Sequence, residues 1–161
     1  MKKQILDILS RNSRIKTADI ADMLDTTVDE VKAEIREMEE ANVICGYPTL
    51  INWDNTDCEI VTALIEVKVA PQRGRGFDKI AQRIYQFEEV TSVFLMSGGF
   101  DLTVIIEGRS MKEVAQFVSD KLATLDTVMS TSTHFVLKKY KEHGLVMNDG
   151  RHDDERMLIV P

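Results

Sequence analysis

Long apolar runs are missing from this 161-residue chain; the longest, such as Val93 to Met96 and Leu158 to Val160, are only a few residues. A bilayer-crossing helix needs about 20, so none is expected. Behind Met1, Lys2 and Lys3 an acid interrupts at Asp7, and no apolar stretch of signal-peptide length follows. The expected location is therefore the cytoplasm. Cysteine is scarce as well. Cys45 and Cys58 are too few for a disulfide framework and too isolated for a zinc cluster, and both read as structural thiols. An excess of positive charge is also absent: the net charge is −7. Any contact with nucleic acid must then rest on a few placed cations rather than a broad basic face.

Signatures of catalysis are equally sparse. No Ser-His-acid or Cys-His order stands out, and His134, His143 and His152 lack metal-ligand spacing. Arg73, Gly74, Arg75 and Gly76 carry only half of a phosphate-loop pattern and read as a solvated turn. His152, Asp153 and Asp154 read as a solvated terminal segment. No catalytic residue, metal or cofactor is expected.

What is present begins with helical periodicity. Ile5, Leu6, Ile8 and Leu9, then Ile20, Ala21, Met23 and Leu24, then Val28, Val31, Ile35 and Met38 mark three short amphipathic helices. Thr17 precedes the second, and Thr27 precedes the third with Glu30 at capping-box spacing. Val43 to Tyr47 then reads as a short extended stretch before Pro48. This is the layout of a winged helix-turn-helix, with a three-helix interaction bundle as the alternative.

After Asn52 the period switches to two. Val61, Ala63, Ile65, Val67 and Val69 alternate with Thr62, Leu64, Glu66 and Lys68, predicting a strand. A Gly- and Arg-rich turn from Pro71 leads to a helix over Phe77 to Phe87. Strands at Val90 to Ser97 and Leu102 to Glu107 follow, then a helix over Met111 to Leu125 and a last strand over Val128 to Leu137. The order β-α-β-β-α-β predicts a ferredoxin-like antiparallel sheet with both helices on one face. Leu64 then lies on the open face, for which a second copy of the sheet is the natural cover. The chain reads as an α+β protein with a winged helix-turn-helix over 1–52, a ferredoxin-like domain over 53–141 and an extension over 142–161. The apolar end of that extension, Met157 to Pro161, has the composition to add a strand to a neighbour.

The turn Ser97, Gly98, Gly99, Phe100, Asp101 is the most informative loop. Two glycines free consecutive backbone amides and Asp101 supplies an acceptor for an ammonium group, a set that suits a zwitterionic amino acid. The same residues also suit a plain hairpin turn.

The helix-turn-helix ending in Glu39, Glu40, Ala41, Asn42, Val43, Ile44, Cys45, Gly46 and Tyr47, joined to a βαββαβ domain with Gly98 and Asp101, resembles the Lrp/AsnC family of bacterial and archaeal transcriptional regulators. The likeness runs from about residue 4 to 141. It implies double-stranded DNA as one partner, an amino-acid effector at domain interfaces, and a homo-oligomer: a dimer through the C-terminal sheets, often assembled into octamers. It places the effector-responsive region at Gly98, Gly99 and Asp101 and on the last strand at Thr131, Thr133 and His134. Thr26, Thr27 and Val28 open the third helix, where a recognition helix meets the groove first. The family places cations in the middle of that helix, whereas Ala33, Glu34 and Glu37 stand there and only Lys32 and Arg36 are basic. A co-regulator subunit that has lost DNA contact is therefore the rival reading, and an enzyme domain of ferredoxin-like fold the more distant one.

Overall fold

The computed structural model describes residues 1–70 and 76–147. Arg73, Gly74 and Arg75 of the basic turn, His152, Asp153 and Asp154, and the apolar Met157 to Pro161 lie outside the described residues. Two compact units divide between Leu50 and Ile51. No described helix is long and apolar enough to cross a membrane.

In the first unit α1 (Lys2–Arg11), α2 (Thr17–Leu24) and α3 (Val28–Glu40) meet through Ile5, Ile20, Ala21, Val31 and Met38, all buried. Those positions recur at helical spacing, so each helix turns one apolar stripe inward. Thr17 lies inside α2 instead of ahead of it. The extended Lys16 takes the capping position, and its carbonyl accepts the Ile20 amide at 3.2 Å.

Val43 to Tyr47, expected as an extended segment of a wing, pairs with no strand among the described residues. Its residues fold back on α3. Asn42 adopts a left-handed φ of 53°, and the Val43 and Ile44 amides both donate to the Met38 carbonyl, at 2.8 and 3.1 Å. The two cysteines are exposed, not packed as structural thiols would be.

The second unit runs β1 (Val61–Val69), α4 (Asp78–Tyr85), β2 (Val90–Leu95), β3 (Leu102–Gly108), α5 (Met111–Phe117) and β4 (Val128–Phe135). The sheet order is β2-β3-β1-β4 with every neighbouring pair antiparallel. Alternation puts Ala63, Ile65, Val67 and Val69 against Ile80 and Ile84 of α4 and Val114 and Phe117 of α5. Leu64 is half-buried on the other face, between Ile105 and His134.

The helix expected to continue to Leu125 changes character after Phe117. Val118–Leu122 is a π turn in which the Ala123 amide reaches the Val118 carbonyl at 2.8 Å. The hydroxyls of Ser119 and Thr124 bond nearby carbonyls, competing with the regular ladder. Beyond β4, a hairpin of β5 (Lys141–Glu142) and β6 (Leu145–Val146) spans the start of the expected extension.

Candidate DNA interface and effector site

The turn between α2 and α3 is made by Asp25, whose φ of 51° is left-handed. Thr27 then caps α3: its Oγ1 accepts the Glu30 amide at 3.3 Å while the Glu30 carboxylate accepts the Thr27 amide at 3.1 Å. The same carboxylate oxygen also takes the hydroxyl of Thr27, at 3.0 Å, and that of Thr26. The Thr26 hydroxyl first, then the Thr27 amide and hydroxyl, hold the Glu30 carboxyl below its ordinary value. The positive end of the helix dipole thus already carries an anion. Of the residues expected to meet DNA here, Thr26 and Thr27 have their hydroxyls engaged on Glu30. Val28 is half-buried against the helix core.

One turn further on, Lys32 and Arg36 are exposed four residues apart on one face, and neither pairs with an acid among the described residues. The neighbouring acids are directed elsewhere. Lys2 of α1 holds Glu37 at 2.6 Å and lies 3.8 Å from Glu34. The Glu37 hydrogen bond is the main reason that the Lys2 ammonium is raised above its usual range. Glu39 accepts the Tyr47 hydroxyl at 2.8 Å. Burial, then that bond and charge, push the Tyr47 phenol up to about 12. The carboxylates that weaken the basic character of α3 are therefore drawn toward α1 and Tyr47, away from the Lys32 and Arg36 side chains.

At the other site, the turn joining β2 to β3 is closed by the Met96 amide on the Asp101 carbonyl at 2.8 Å. Asp101 is anchored twice to β1: its amide donates to the Val67 carbonyl at 3.0 Å, and its carboxylate Oδ2 accepts the Val69 amide at 2.7 Å. Gly98 has a φ of 143°, which suits glycine alone. Gly99 has no positive φ, and a side chain there would meet nothing, so the turn itself does not demand its glycine. Among the described residues the Gly98 and Gly99 amides have no acceptor.

The last strand does not gather its three expected residues. Thr131 and Thr133 stand opposite Val67 and Ile65, on the helix-covered face. His134 stands opposite Leu64 on the open face, its Nε2 at 3.5 Å from Glu66 Oε1 and 3.3 Å from Ser132 Oγ. Val67 pairs with both Leu102 and Thr131, so Thr131 is two strand spacings, about 10 Å, from the residue after Asp101. Sequence reasoning missed Lys2, because 35 residues separate it from Glu37 and no local spacing relates them. It missed the Val69 amide for the same reason, since that bond spans 32 residues.

The profile of the Lrp/AsnC ligand binding domain matches residues 62–146, and that of a winged helix-turn-helix DNA-binding domain matches residues 1–44. The HTH-type transcriptional regulator YugG of Bacillus subtilis (strain 168) is 54% identical over 159 residues, covering 98% of this chain and 95% of its own. The chain belongs to the Lrp/AsnC family of transcriptional regulators. Among solved structures, this Lrp/AsnC regulator shares its fold with an L-Met complex of a transcriptional regulator from Neisseria meningitidis. The TM-score is 0.69 at 21% identity, over 91% of this chain and 95% of that one. It shares it also with AsnC of E. coli, with a TM-score of 0.64 at 19% identity, over 88% and 93%. The first unit of this Lrp/AsnC protein is thus a DNA-binding head and the second a ligand-binding domain.

Proposed function

We propose that the chain reads double-stranded DNA with α3, responds to an amino acid at the Gly98 to Asp101 turn, and works in the cytoplasm as a homodimer or a multiple of one such as an octamer. It performs no catalysis of its own. The observation that carries the reading is the exposed, unpaired pair Lys32 and Arg36, with Glu34 and Glu37 drawn off to Lys2. The unbonded amides of Gly98 and Gly99 suit a carboxylate, and the Neisseria relative is a complex with an amino acid. Thr131, with Thr133 behind it, borders the same end of the sheet, and His134 faces the side that a second subunit would cover.

The test is a gel shift on the chain's own upstream region across a range of salt, with and without an amino-acid mixture. Lys32→Ala and Arg36→Ala should each weaken binding and flatten the slope of log affinity against log salt by about one per lost phosphate contact. The carboxylate held at the start of α3 favours a second reading, a subunit that pairs with a related DNA-binding regulator. Silence of both variants, or no retention of DNA at low salt, would establish that reading instead.

A further inference from the structure

Beside the Gly98 to Asp101 turn, on the helix-covered side of β1, lies a cavity of about 280 Å³. Val69 and Ile80 give it an apolar wall, and Lys79 and Arg83, one turn apart on α4, line it together with Asp126 and Thr127. None of the three charged groups pairs with an opposite charge among the described residues. The Thr127 hydroxyl oxygen is shielded from solvent and has no hydrogen-bond partner. A packing flaw between a helix and a sheet is lined by apolar groups and stays dry. Here the exposed Lys79, Arg83 and Asp126 stand around the mouth, and the Thr127 hydroxyl behind them is a buried polar group without a partner, rare enough to require a cause.

We propose that this cavity is a second ligand site, for a small zwitterionic carboxylate of amino-acid size, with the carboxylate on Lys79 and Arg83 and the ammonium on Asp126. It shares the ligand class with the reading above but none of its residues. The cavity also has a direct mechanical link to the turn. Val69 lines the cavity and gives its amide to Asp101, and Ala70, also in the lining, gives its amide to the Thr127 carbonyl at 2.8 Å. Both bonds leave β1 where its register with β4 shifts, between Lys68 and Val69. A bulge is the part of a strand most easily re-aimed, so occupancy of the cavity bears on the conformation of the Asp101 turn.

The experiment is a calorimetric titration of the full chain with each of the twenty L-amino acids, acetate and inorganic phosphate. It is repeated on Lys79→Gln, Arg83→Gln, Thr127→Val and Asp101→Asn, the last of which keeps an acceptor for the Val69 amide. The best amino acid should lose about tenfold in affinity with Lys79→Gln or Arg83→Gln, the scale of a lost charge-assisted hydrogen bond. Because Asp101 belongs to the other site, Asp101→Asn should leave a residual binding event that the cation variants abolish. Thr127→Val should keep the affinity while raising the melting temperature of the ligand-free protein, because it removes an unsatisfied buried hydroxyl. Unchanged affinity in both cation variants overturns the proposal, as does acetate or phosphate binding as tightly as the amino acid, or no binding at all. Loss in Asp101→Asn alone keeps the turn as the effector site and removes this one. The opposite pattern removes the turn and keeps the cavity.

Discussion

The Asp101 carboxylate accepts a half-buried amide from a strand 32 residues away, so truncating it strands a donor. A hydrogen bond to a charged group contributes roughly 1.5–3 kcal/mol. Asp101→Ala should lower unfolding stability by about that much in chemical denaturation, while Asp101→Asn, which retains an acceptor, should cost less than half as much. Equal losses in the two variants would mean that charge, not the bond, is what counts. Tyr47 offers a readout at the other unit. Its phenol, pushed up to about 12, favours the neutral form in the folded state. The stability it contributes is therefore complete below the ordinary tyrosine value near 10 and is lost as pH rises through the folded one. An ultraviolet titration should show one of the three tyrosines ionising late, and Tyr47→Phe should remove that late step.

Among the elements, the acids of α3 are held by a residue on a different helix, which leaves Lys32 and Arg36 unpaired among the described residues. Lys2→Ala frees Glu34 and Glu37 to swing beside Lys32 and Arg36. DNA affinity in a gel shift should then fall several-fold with the salt slope nearly unchanged, because no phosphate contact is lost. If affinity were unchanged, α1 would have no electrostatic part in the interface. The start of α3 and the alternation of β1 were legible in the sequence because they are local: Thr27 and Glu30 are three apart, and Ala63, Ile65 and Val67 repeat every second residue. The absence of strand at Val43 to Tyr47 was not legible. Val and Ile favour strands, but the Met38 carbonyl captures their amides. Nor was the π turn, where hydroxyls from Ser119 and Thr124 unsettle a pattern that remains apolar at helical spacing. At the candidate sites the charged residues could be named, whereas their partners could not, since contacts such as Lys2 to Glu37 and Asp101 to Val69 are made by folding.

For the molecule as a whole, the open sheet face is the seam of the proposed dimer. Leu64 and Ile105 are half-buried there and Phe94 is 51% exposed, paired in register with Thr103. Among the described residues helices cover only the opposite face, so a second copy is the expected cover. Light scattering at micromolar concentration should give at least twice the 18.3 kDa chain mass, and Leu64→Asp should return it to a single chain. A wild-type monomer, or a Leu64→Asp protein of undiminished mass, would move the interface elsewhere. The Glu30 carboxylate has its own consequence at this scale. An approaching phosphate meets a like charge at the donors that most helix openings offer it, and that repulsion is the same on every stretch of duplex. With a net charge of −7 over the chain, attachment to arbitrary DNA is expected to be weak. A genome offers on the order of 10⁶–10⁹ competing sites, so occupancy depends on the ratio of right to wrong binding rather than on affinity alone. If α3 reads DNA as proposed, an acid at its mouth would lower the background against which a true operator has to compete.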